Sequence, residues 1–297
     1  MFPTILSIAL TAFLLISPIT AAPNLQRRQT INGENGMAVH NNYACKSTIH
    51  PNPVIMLHGL GATYYEDLNY LEQFLQGQGF CTFSLTYGDY ALFPYVGGLM
   101  PIAQSAQQIA TFIQTVQSTT GAAKVDIVGH SEGAFQSLYV PKFQAGIAAI
   151  IDKIVAIAPP THGTTFDGLY NLAYIGGPLT RTLVGTILSV VGCAACDDLG
   201  PGGAAVVRLN DGKPIVQPGN NVTVIISTKD ELITPTTTAF VNEAGVSNVY
   251  IQQPYYPNDV SGHIGEAYDA NVWAMVVQWL SGTAFTSGTG NGGGITY

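Results

Sequence analysis

From residue 53 onward, short runs of β-branched and other apolar residues alternate with longer stretches in which apolar residues recur every three or four positions. The short runs predict strands at residues 54–57, 80–86, 124–128, 154–158, 222–227 and 249–253. The longer stretches predict helices at residues 67–76, 101–117, 132–140 and 267–280, and Pro141 is expected to end the third. This alternation is typical of a mostly parallel sheet with crossover helices, so the pattern predicts an α/β fold.

Two segments interrupt the alternation. Residues 161–220 contain no predicted strand and are too long for an ordinary connection, so we expect an insertion with its own structure. Within it, residues 178–191 are almost uncharged and have a broad apolar face, which suits either a lid or acyl-binding wall, or a segment buried on the domain. The Gly-, Ser- and Thr-rich residues 282–297 predict a flexible tail.

The N-terminal residues predict export from the cell. An apolar run at residues 5–16 leads into small residues, as in a signal peptide that covers residues 1–22. A pair of arginines then ends a short predicted propeptide at residues 23–28, which leaves residues 29–281 as one domain with an insertion. No apolar stretch is long enough to span a bilayer, so the sequence predicts a secreted, extracellular protein without a transmembrane segment.

Composition excludes several classes of protein. Hydrophobic residues make up 47% of the chain and charged residues 9%, which excludes a disordered or coiled-coil chain. The formal net charge is −8 with ten Lys and Arg residues in all, so we expect no nucleic-acid partner. No metal-binding motif is present, and we expect no metal site, although scattered oxygen ligands for calcium would not form a short motif.

The four cysteines predict disulfide bonds in an exported chain, with three possible pairings if all four are joined. The spacing of Cys193 and Cys196 also fits a redox or zinc site, but no second pair of cysteines or histidines accompanies it. A sequon at Asn221 predicts a site of N-glycosylation. These features agree with a secretory route.

A G-x-S-x-G motif at residues 129–133 carries the clearest chemical signal. It directly follows the predicted strand 124–128 and directly precedes a predicted helix, which is the context in which this motif holds a nucleophilic serine. A sharp turn between strand and helix exposes the hydroxyl group, and the flanking glycines leave room for that turn. Ser131 is therefore the candidate nucleophile.

A serine hydroxyl needs a histidine to take its proton and a carboxylate to orient that histidine. In folds with this motif the chain order is serine, acid, histidine. Of the six histidines, His263 fits this order because it follows the last predicted strand. Asp230 comes soon after the strand at 222–227 and is the first choice for the acid, with Glu231 and Asp259 as alternatives.

The oxyanion of a tetrahedral intermediate needs two backbone N–H donors, one after the nucleophile and one in the loop after the first central strand. The residues at these positions are Glu132 and Leu60, and glycines on both sides of Leu60 let its loop turn towards Ser131. A carboxylate there opposes the developing negative charge unless it points away or is protonated. We expect the Glu132 side chain to be hydrogen-bonded away from the oxyanion.

Together these residues resemble the secreted α/β-hydrolase lipases known as lipase class 2. The resemblance covers residues 45–280 and runs through residues 53–59, 79–81, 87–88, 105–106, 121–131, 158–165, 230–231, 234–235 and His263. It implies an α/β-hydrolase fold, hydrolysis of carboxylic esters without a cofactor, and Asp230 as the acid. It also implies two disulfides, Cys45 with Cys81 and Cys193 with Cys196.

The chain departs from this family near residues 252–257, where a further cysteine is expected by analogy, so we expect the loop that holds His263 to be more mobile. The function that follows is a secreted serine ester hydrolase, a lipase that cleaves acylglycerols through an acyl-enzyme on Ser131, with a lipid–water interface as a possible partner. The alternatives are an esterase for short-chain or polymeric esters and an acyltransferase with the same triad. A non-catalytic binding module is disfavoured because all three triad positions are filled.

Overall fold

The computed structural model describes residues 40–91, 94–165 and 193–288. The predicted signal peptide and propeptide, the apolar segment at 178–191 and the end of the Gly-rich tail lie outside these residues. Within the described ranges, no helix has both the length and the apolar character that a membrane crossing requires.

The centre of the molecule is a six-stranded sheet in which all neighbouring strands are parallel. Its strands are β1 (Val54–Leu57), β2 (Thr82–Ser84), β3 (Val125–His130), β4 (Ile151–Ile157), β5 (Asn221–Ile226) and β6 (Ser247–Tyr250). Their spatial order is β2-β1-β3-β4-β5-β6. Every residue of β1 and β3 is buried, as expected of strands covered on both faces, and the predicted α/β fold is confirmed.

Helices cover the sheet and follow the predicted periodicity. They are α1 (Asn69–Gly77), α2 (Ile102–Thr120), α3 (Glu132–Phe143), α4 (Ile147–Ile150), α5 (Ala194–Asp198), α6 (Ala204–Leu209), α7 (His263–Tyr268) and α8 (Ala270–Leu280), with a 3₁₀ turn at Thr236–Ala239. The apolar stripe of α2 is buried in the core, and the helix ends at Gly121 in a left-handed conformation, φ 68°. Helices α5 and α6 lie in the predicted insertion.

Strand boundaries differ from the predictions at both edges of the sheet and also in its centre, where β4 begins three residues earlier than predicted. The run at 80–86 contributes only the three residues of β2, because this edge strand pairs with β1 alone. At the opposite edge, β6 begins two residues earlier than predicted and ends three residues earlier. Apolar runs therefore locate the edge strands, whereas pairing decides their length.

Two helix predictions were wrong at their ends. Helix α3 continues past Pro141, because the missing N–H affects only the last turn, which closes with a bond from Gln144 N–H to the Val140 carbonyl. The predicted helix 267–280 begins earlier and is two helices. They meet at Asp269, whose extended backbone breaks the helix and whose side chain caps the N–H groups at the start of α8.

The predicted flexible tail begins as an ordered segment. Phe285 stacks on Trp279 of α8 and meets Tyr255 edge to face, with ring centroids 5.9 and 5.4 Å apart. The N–H of Gly288 donates to the Tyr255 carbonyl at 3.1 Å. One aromatic side chain among small residues thus attaches residues 282–288 to the domain, against the expectation for that part of the tail.

Disulfides join Cys45 to Cys81 and Cys193 to Cys196, the pairs that the family resemblance implied. The first ties the segment before β1 to the start of β2. The second lies at the start of α5, directly after the part of the insertion that is outside the described residues.

Candidate active site

Ser131 lies in the sharp turn between β3 and α3, with φ 54° and ψ −118°. Residues with a side chain rarely adopt a positive φ, so this backbone is strained and its surroundings hold it in place. Its N–H donates to the Ile157 carbonyl of β4 at 2.9 Å. A Cβ on Gly129 would lie 2.2 Å from the Gly133 carbonyl oxygen, so the two predicted glycines are required for this turn.

The structure brings Ser131, His263 and Asp230 together from three different loops. Nε2 of His263 lies 2.8 Å from Oγ of Ser131, and Nδ1 lies 2.8 Å from Oδ2 of Asp230. An ionised carboxylate only accepts, so Nδ1 carries the proton and Nε2 is free to accept the serine proton. His263 and Asp230 are both buried, which shields these bonds from water.

The surroundings of Asp230 keep it ionised. Burial by itself would raise its pKa, but the hydrogen bond and the charge of His263 outweigh this effect and hold the pKa of Asp230 below its usual range. Its second oxygen accepts from the N–H groups of Leu232 and Ile233 at 2.8 Å each. Asp230 is thus fixed as an acceptor for the histidine.

The two alternative acids lie nearby but make other contacts. Oε2 of Glu231 accepts from the backbone N–H of His263 at 3.0 Å and so holds that residue by its main chain. Asp259 accepts from the N–H of Ser261 and from the Asn271 amide. Neither carboxylate has a bond to the His263 ring among the described residues, so geometry favours Asp230.

Glu266 is a buried carboxyl group that sequence reasoning missed. It lies on α7 one turn after His263, and its Oε1 accepts from the Ser227 N–H at 3.0 Å. Burial and the charge of Asp230 raise its pKa well above the usual range, which favours its neutral form. Its position three residues after the histidine, on the same helical face, is the signal that could have identified it.

The loop after β1 lies against the nucleophile. A Cβ on Gly59 would lie 3.2 Å from the Cβ of Ser131, which is closer than most real contacts allow. His58 supports the loop, since its Nδ1–H donates to the Gly59 carbonyl at 2.8 Å and its Nε2 accepts from the Tyr87 N–H at 3.3 Å. The Tyr87 hydroxyl donates to the His58 carbonyl at 2.6 Å. Leu60, the predicted oxyanion donor, follows in this supported loop.

Among the bonds between described residues, none uses the N–H of Leu60 or of Glu132. Glu132 is the first residue of α3, where backbone N–H groups have no partner within the helix and the helix dipole favours negative charge. Both predicted donors are therefore available to an oxyanion beside Ser131.

The Glu132 side chain differs from the expected arrangement. It is fully buried against Gly98, and neither oxygen has a hydrogen bond within the described part of the chain. Burial raises the pKa of Glu132 well above its usual range; the nearby Gln136 amide lowers it only in part, and the charge of Asp198 raises it further. Burial thus favours the neutral form of Glu132, which would not repel an oxyanion, and no hydrogen bond of the described residues turns the carboxylate away.

A groove of about 1240 Å³ lies elsewhere, at the edge of the sheet where β5 begins, and its lining includes Lys142, Asp211 and Glu243 but no triad residue. Within the described ranges, no three His, Cys, Asp or Glu side chains cluster as a metal site would need. The apolar segment at 178–191, expected to be either a lid or acyl-binding wall or a segment buried on the domain, lies outside the described residues.

The chain is similar in sequence to known proteins. A model of the protein family described as Lipase (class 2) matches residues 51–263. A triacylglycerol lipase of Pseudomonas fragi is 25% identical over 137 residues, which cover 46% of this chain and 43% of that protein.

Solved structures share the fold. Lipase B of Aspergillus fumigatus has 20% sequence identity and a TM-score of 0.58, over 77% of this chain and 52% of that one. A monoacylglycerol lipase of Paleococcus ferrophilus has 14% identity and a TM-score of 0.50, over 80% of this chain and 97% of that one. These similarities show the α/β-hydrolase fold. The chain spans about half the length of the Pseudomonas and Aspergillus proteins.

Proposed function

The chain belongs to the class 2 lipase family, and on that premise we propose that it is a secreted serine hydrolase of carboxylic esters with acylglycerols as substrates. The single observation that carries the proposal is the hydrogen-bonded series from Asp230 through His263 to Ser131, with 2.8 Å at each step. The Pseudomonas fragi relative is a triacylglycerol lipase, which supports acylglycerols as the substrate class.

In the proposed reaction, Oγ of Ser131 attacks the ester carbonyl carbon while Nε2 of His263 takes the hydroxyl proton. The N–H groups of Leu60 and Glu132 stabilise the oxyanion that forms. The intermediate collapses, the bond to the alcohol oxygen breaks, and His263 returns the proton to the leaving alcohol. Water then attacks the acyl-enzyme by the same steps, which releases the fatty acid and restores Ser131.

We also propose that the chain is exported and loses residues 1–22 and 23–28. The two disulfides support an oxidising compartment, where such bonds persist. Asn221 is exposed at the start of β5, which supports its glycosylation. Secretion from a eukaryotic host should yield a protein that begins at Gln29 and loses mass on glycosidase treatment. An N-terminus at Met1 would contradict the processing.

The activity is tested by initial rates on nitrophenyl butyrate, nitrophenyl palmitate and a triacylglycerol emulsion. The variants are Ser131→Ala and, as a matched control, Ser118→Ala, which changes an exposed serine of α2. We expect Ser131→Ala to lower every rate by at least about 10³-fold and Ser118→Ala to leave all three unchanged.

The substrate pattern distinguishes the alternatives. Turnover of emulsion and palmitate supports the lipase, and turnover of butyrate alone means a short-chain esterase. Activity that survives in Ser131→Ala would refute the serine mechanism. If the wild type hydrolyses none of the three esters, the lipase proposal fails, and polymeric esters and acyl transfer become the candidates.

A further inference from the structure

A second pair of an aspartate and a histidine lies beside the proposed triad. His130 directly precedes Ser131, and its Nδ1 lies 2.7 Å from Oδ1 of Asp67, in the loop between β1 and α1. Both side chains are buried, so the contact is not a surface salt bridge. The His130 ring lies 4.9 Å, centroid to centroid, from the ring of His263.

The hydrogen bonds determine the charge of this pair. Nδ1 of His130 faces a carboxylate, and its Nε2 lies 3.0 Å from the backbone carbonyl oxygen of His263. Both partners only accept, so both ring nitrogens must carry protons, and His130 is a cation paired with an ionised Asp67. His58 shows the contrast, because its Nε2 accepts from a backbone N–H and its ring is therefore neutral.

The pair connects the loop between β1 and α1, the end of β3 and helix α7 around Ser131. Oδ2 of Asp67 accepts from the Gly59 N–H at 2.6 Å, in the loop that carries Leu60. The Asp67 N–H donates to the hydroxyl of Tyr268, the last residue of α7. His130 completes the connection through the His263 carbonyl.

The backbone of Asp67 lies in the left-handed region, with φ 69°, which Asn and Asp adopt more readily than other residues that have a side chain. The bonds to Gly59, His130 and Tyr268 hold the residue in this conformation.

We propose that Asp67 and His130 are positioning residues. They form an ionised pair that holds the oxyanion loop, which is the loop after β1 that carries Leu60, and the main chain of His263 in position beside Ser131. This inference rests on the proposed function. It assigns no contact with substrate to either residue. They act by fixing the positions of the oxyanion donors and of the base His263 relative to Ser131 during attack on the ester.

The charged groups that face the pair favour its ionised form. Burial lowers the pKa of His130, but the charge and hydrogen bond of Asp67, the His263 carbonyl and the charge of Asp230 outweigh it, so the net shift is upward. Burial likewise opposes ionisation of Asp67, yet the charge and hydrogen bond of His130 and the Gly59 N–H hold its pKa below the usual range. The charge balance therefore agrees with the hydrogen-bond geometry.

The kinetic test compares Asp67→Ala with Asp67→Asn. Alanine removes the side-chain bonds of Asp67 to His130 and Gly59, and we expect it to lower kcat about 10- to 100-fold with little change in KM. Asparagine can donate from its amide to Nδ1 of a neutral His130 and still accept from Gly59, so its kcat should stay within about threefold of the wild type. Asp211→Ala is the matched control, because it removes an exposed aspartate paired with Lys142.

The rates are normalised to the folded fraction, measured by circular dichroism. An unchanged kcat in Asp67→Ala, or equal losses in both Asp67 variants, would overturn the positioning role. Three results together would refute this inference and leave the proposed function intact. They are ester hydrolysis by the wild type, loss of that activity in Ser131→Ala, and no change in Asp67→Ala. If the wild type is inactive on all esters, the proposed function fails first.

A measurement on the wild type does not depend on the fold of any variant. Protein labelled with ¹⁵N-histidine, with His130 assigned through its backbone, reports whether each ring nitrogen carries a proton. We expect both nitrogens of His130 to carry protons at pH 7, as its two acceptor partners require. An unprotonated nitrogen in His130 at pH 7 would refute the ionised pair, whatever the kinetics show.

Discussion

Hydrogen-bond partners determine the charge of each buried acid near Ser131. Asp230 is ionised because His263 and two backbone N–H groups face it. Glu132 and Glu266 lack comparable donors, and burial raises the pKa of each well above the usual range. Acids of the same kind thus have different charges within one site.

The identity of the acid can be tested at single residues. We expect Asp230→Asn to lower kcat about 10³- to 10⁴-fold, because the amide can stabilise the wrong tautomer of His263. Glu231→Gln and Asp259→Asn are matched controls, and each should cost less than about tenfold since neither contacts the His263 ring. Steady-state kinetics on a soluble ester checks the ranking. A larger loss of kcat in either control than in Asp230→Asn would assign the role of the catalytic acid to that control residue.

A second residue-scale prediction concerns Glu132→Gln. Because burial favours the protonated form of this carboxyl group, an amide of nearly the same size should change kcat at pH 7 by less than about threefold. The measurement is kcat from pH 6 to pH 9 for both proteins. A several-fold increase in the variant would mean that an ionised Glu132 opposes the oxyanion in the wild type.

At the scale of elements, the nucleophile turn depends on how closely α3 approaches the end of β1. A Cβ on Gly133 would lie 2.0 Å from the Leu57 carbonyl oxygen and 2.6 Å from that of His58. Backbone atoms cannot move aside as flexible side chains do. The approach of this helix therefore sets the position of both Ser131 and the oxyanion loop.

Gly133→Ala should consequently destabilise the protein, although Gly to Ala inside a helix usually stabilises by about 1 kcal/mol. We expect a cost of about 1–3 kcal/mol or more from the clash, together with loss of activity. Gly212→Ala is the control, because its Cβ meets open space and only its positive φ is unfavourable. Thermal unfolding of both variants measures their stability relative to the wild type. A Gly133→Ala variant that is more stable than the wild type would contradict the close packing of α3 against β1.

A buried carboxyl group joins α1 to β2. Glu72 accepts from the hydroxyls of Thr82 and Ser84 at 3.0 and 3.1 Å. Burial raises its pKa to about 7, and these two hydrogen bonds offset the effect only in part. The unfolded chain releases this proton near pH 4.5, whereas the folded protein keeps it to about pH 7.

Stability should therefore fall as the pH rises from about 4.5 to 7, by on the order of 3 kcal/mol from this group. Glu72→Gln removes the titration, so the variant should lose less stability than the wild type between pH 5 and pH 8. Glu66→Gln changes an exposed glutamate and should leave the pH dependence unaltered. Urea unfolding at both pH values measures the difference, and parallel behaviour of wild type and Glu72→Gln would contradict it.

At the scale of the whole molecule, exposed apolar side chains concentrate at the carboxyl edge of the sheet, where Ser131 lies. Among the residues that the structure describes, five of the seven exposed large apolar residues lie in segments that follow strands β1, β2 and β6: Tyr64, Tyr65, Tyr95, Val260 and Ile264. We call these five residues the apolar rim. Clustered exposed apolar residues are typical of a surface that meets a lipid or another partner.

If the rim contacts an emulsion, Val260→Ser combined with Ile264→Ser should lower turnover of the triacylglycerol emulsion several-fold and spare nitrophenyl butyrate. Ile49→Ser is the matched control, because Ile49 is 68% exposed but precedes β1 at the other edge of the sheet. Equal losses of turnover on the soluble and the emulsified ester would mean that the rim residues contribute to folding or to the chemical step and not to binding at the interface.

The sequence by itself determined the features that local patterns encode. Alternating apolar runs located all six strands, and the motif around Ser131 located the nucleophile turn, because each signal lies within a few neighbouring residues. Chain order reduced six histidines to His263. From the residues alone, three acids remained possible, and the family resemblance favoured Asp230.

Only the tertiary structure decided which groups meet and which of them are charged. Asp67 and His130 are 63 residues apart, and no local pattern links them. The protonation of Glu132 depends on burial against Gly98, and the break at Asp269 depends on a cap that the apolar stripe conceals. Desolvation and hydrogen bonding act between neighbours in space, so these properties arise only when the distant segments are packed together.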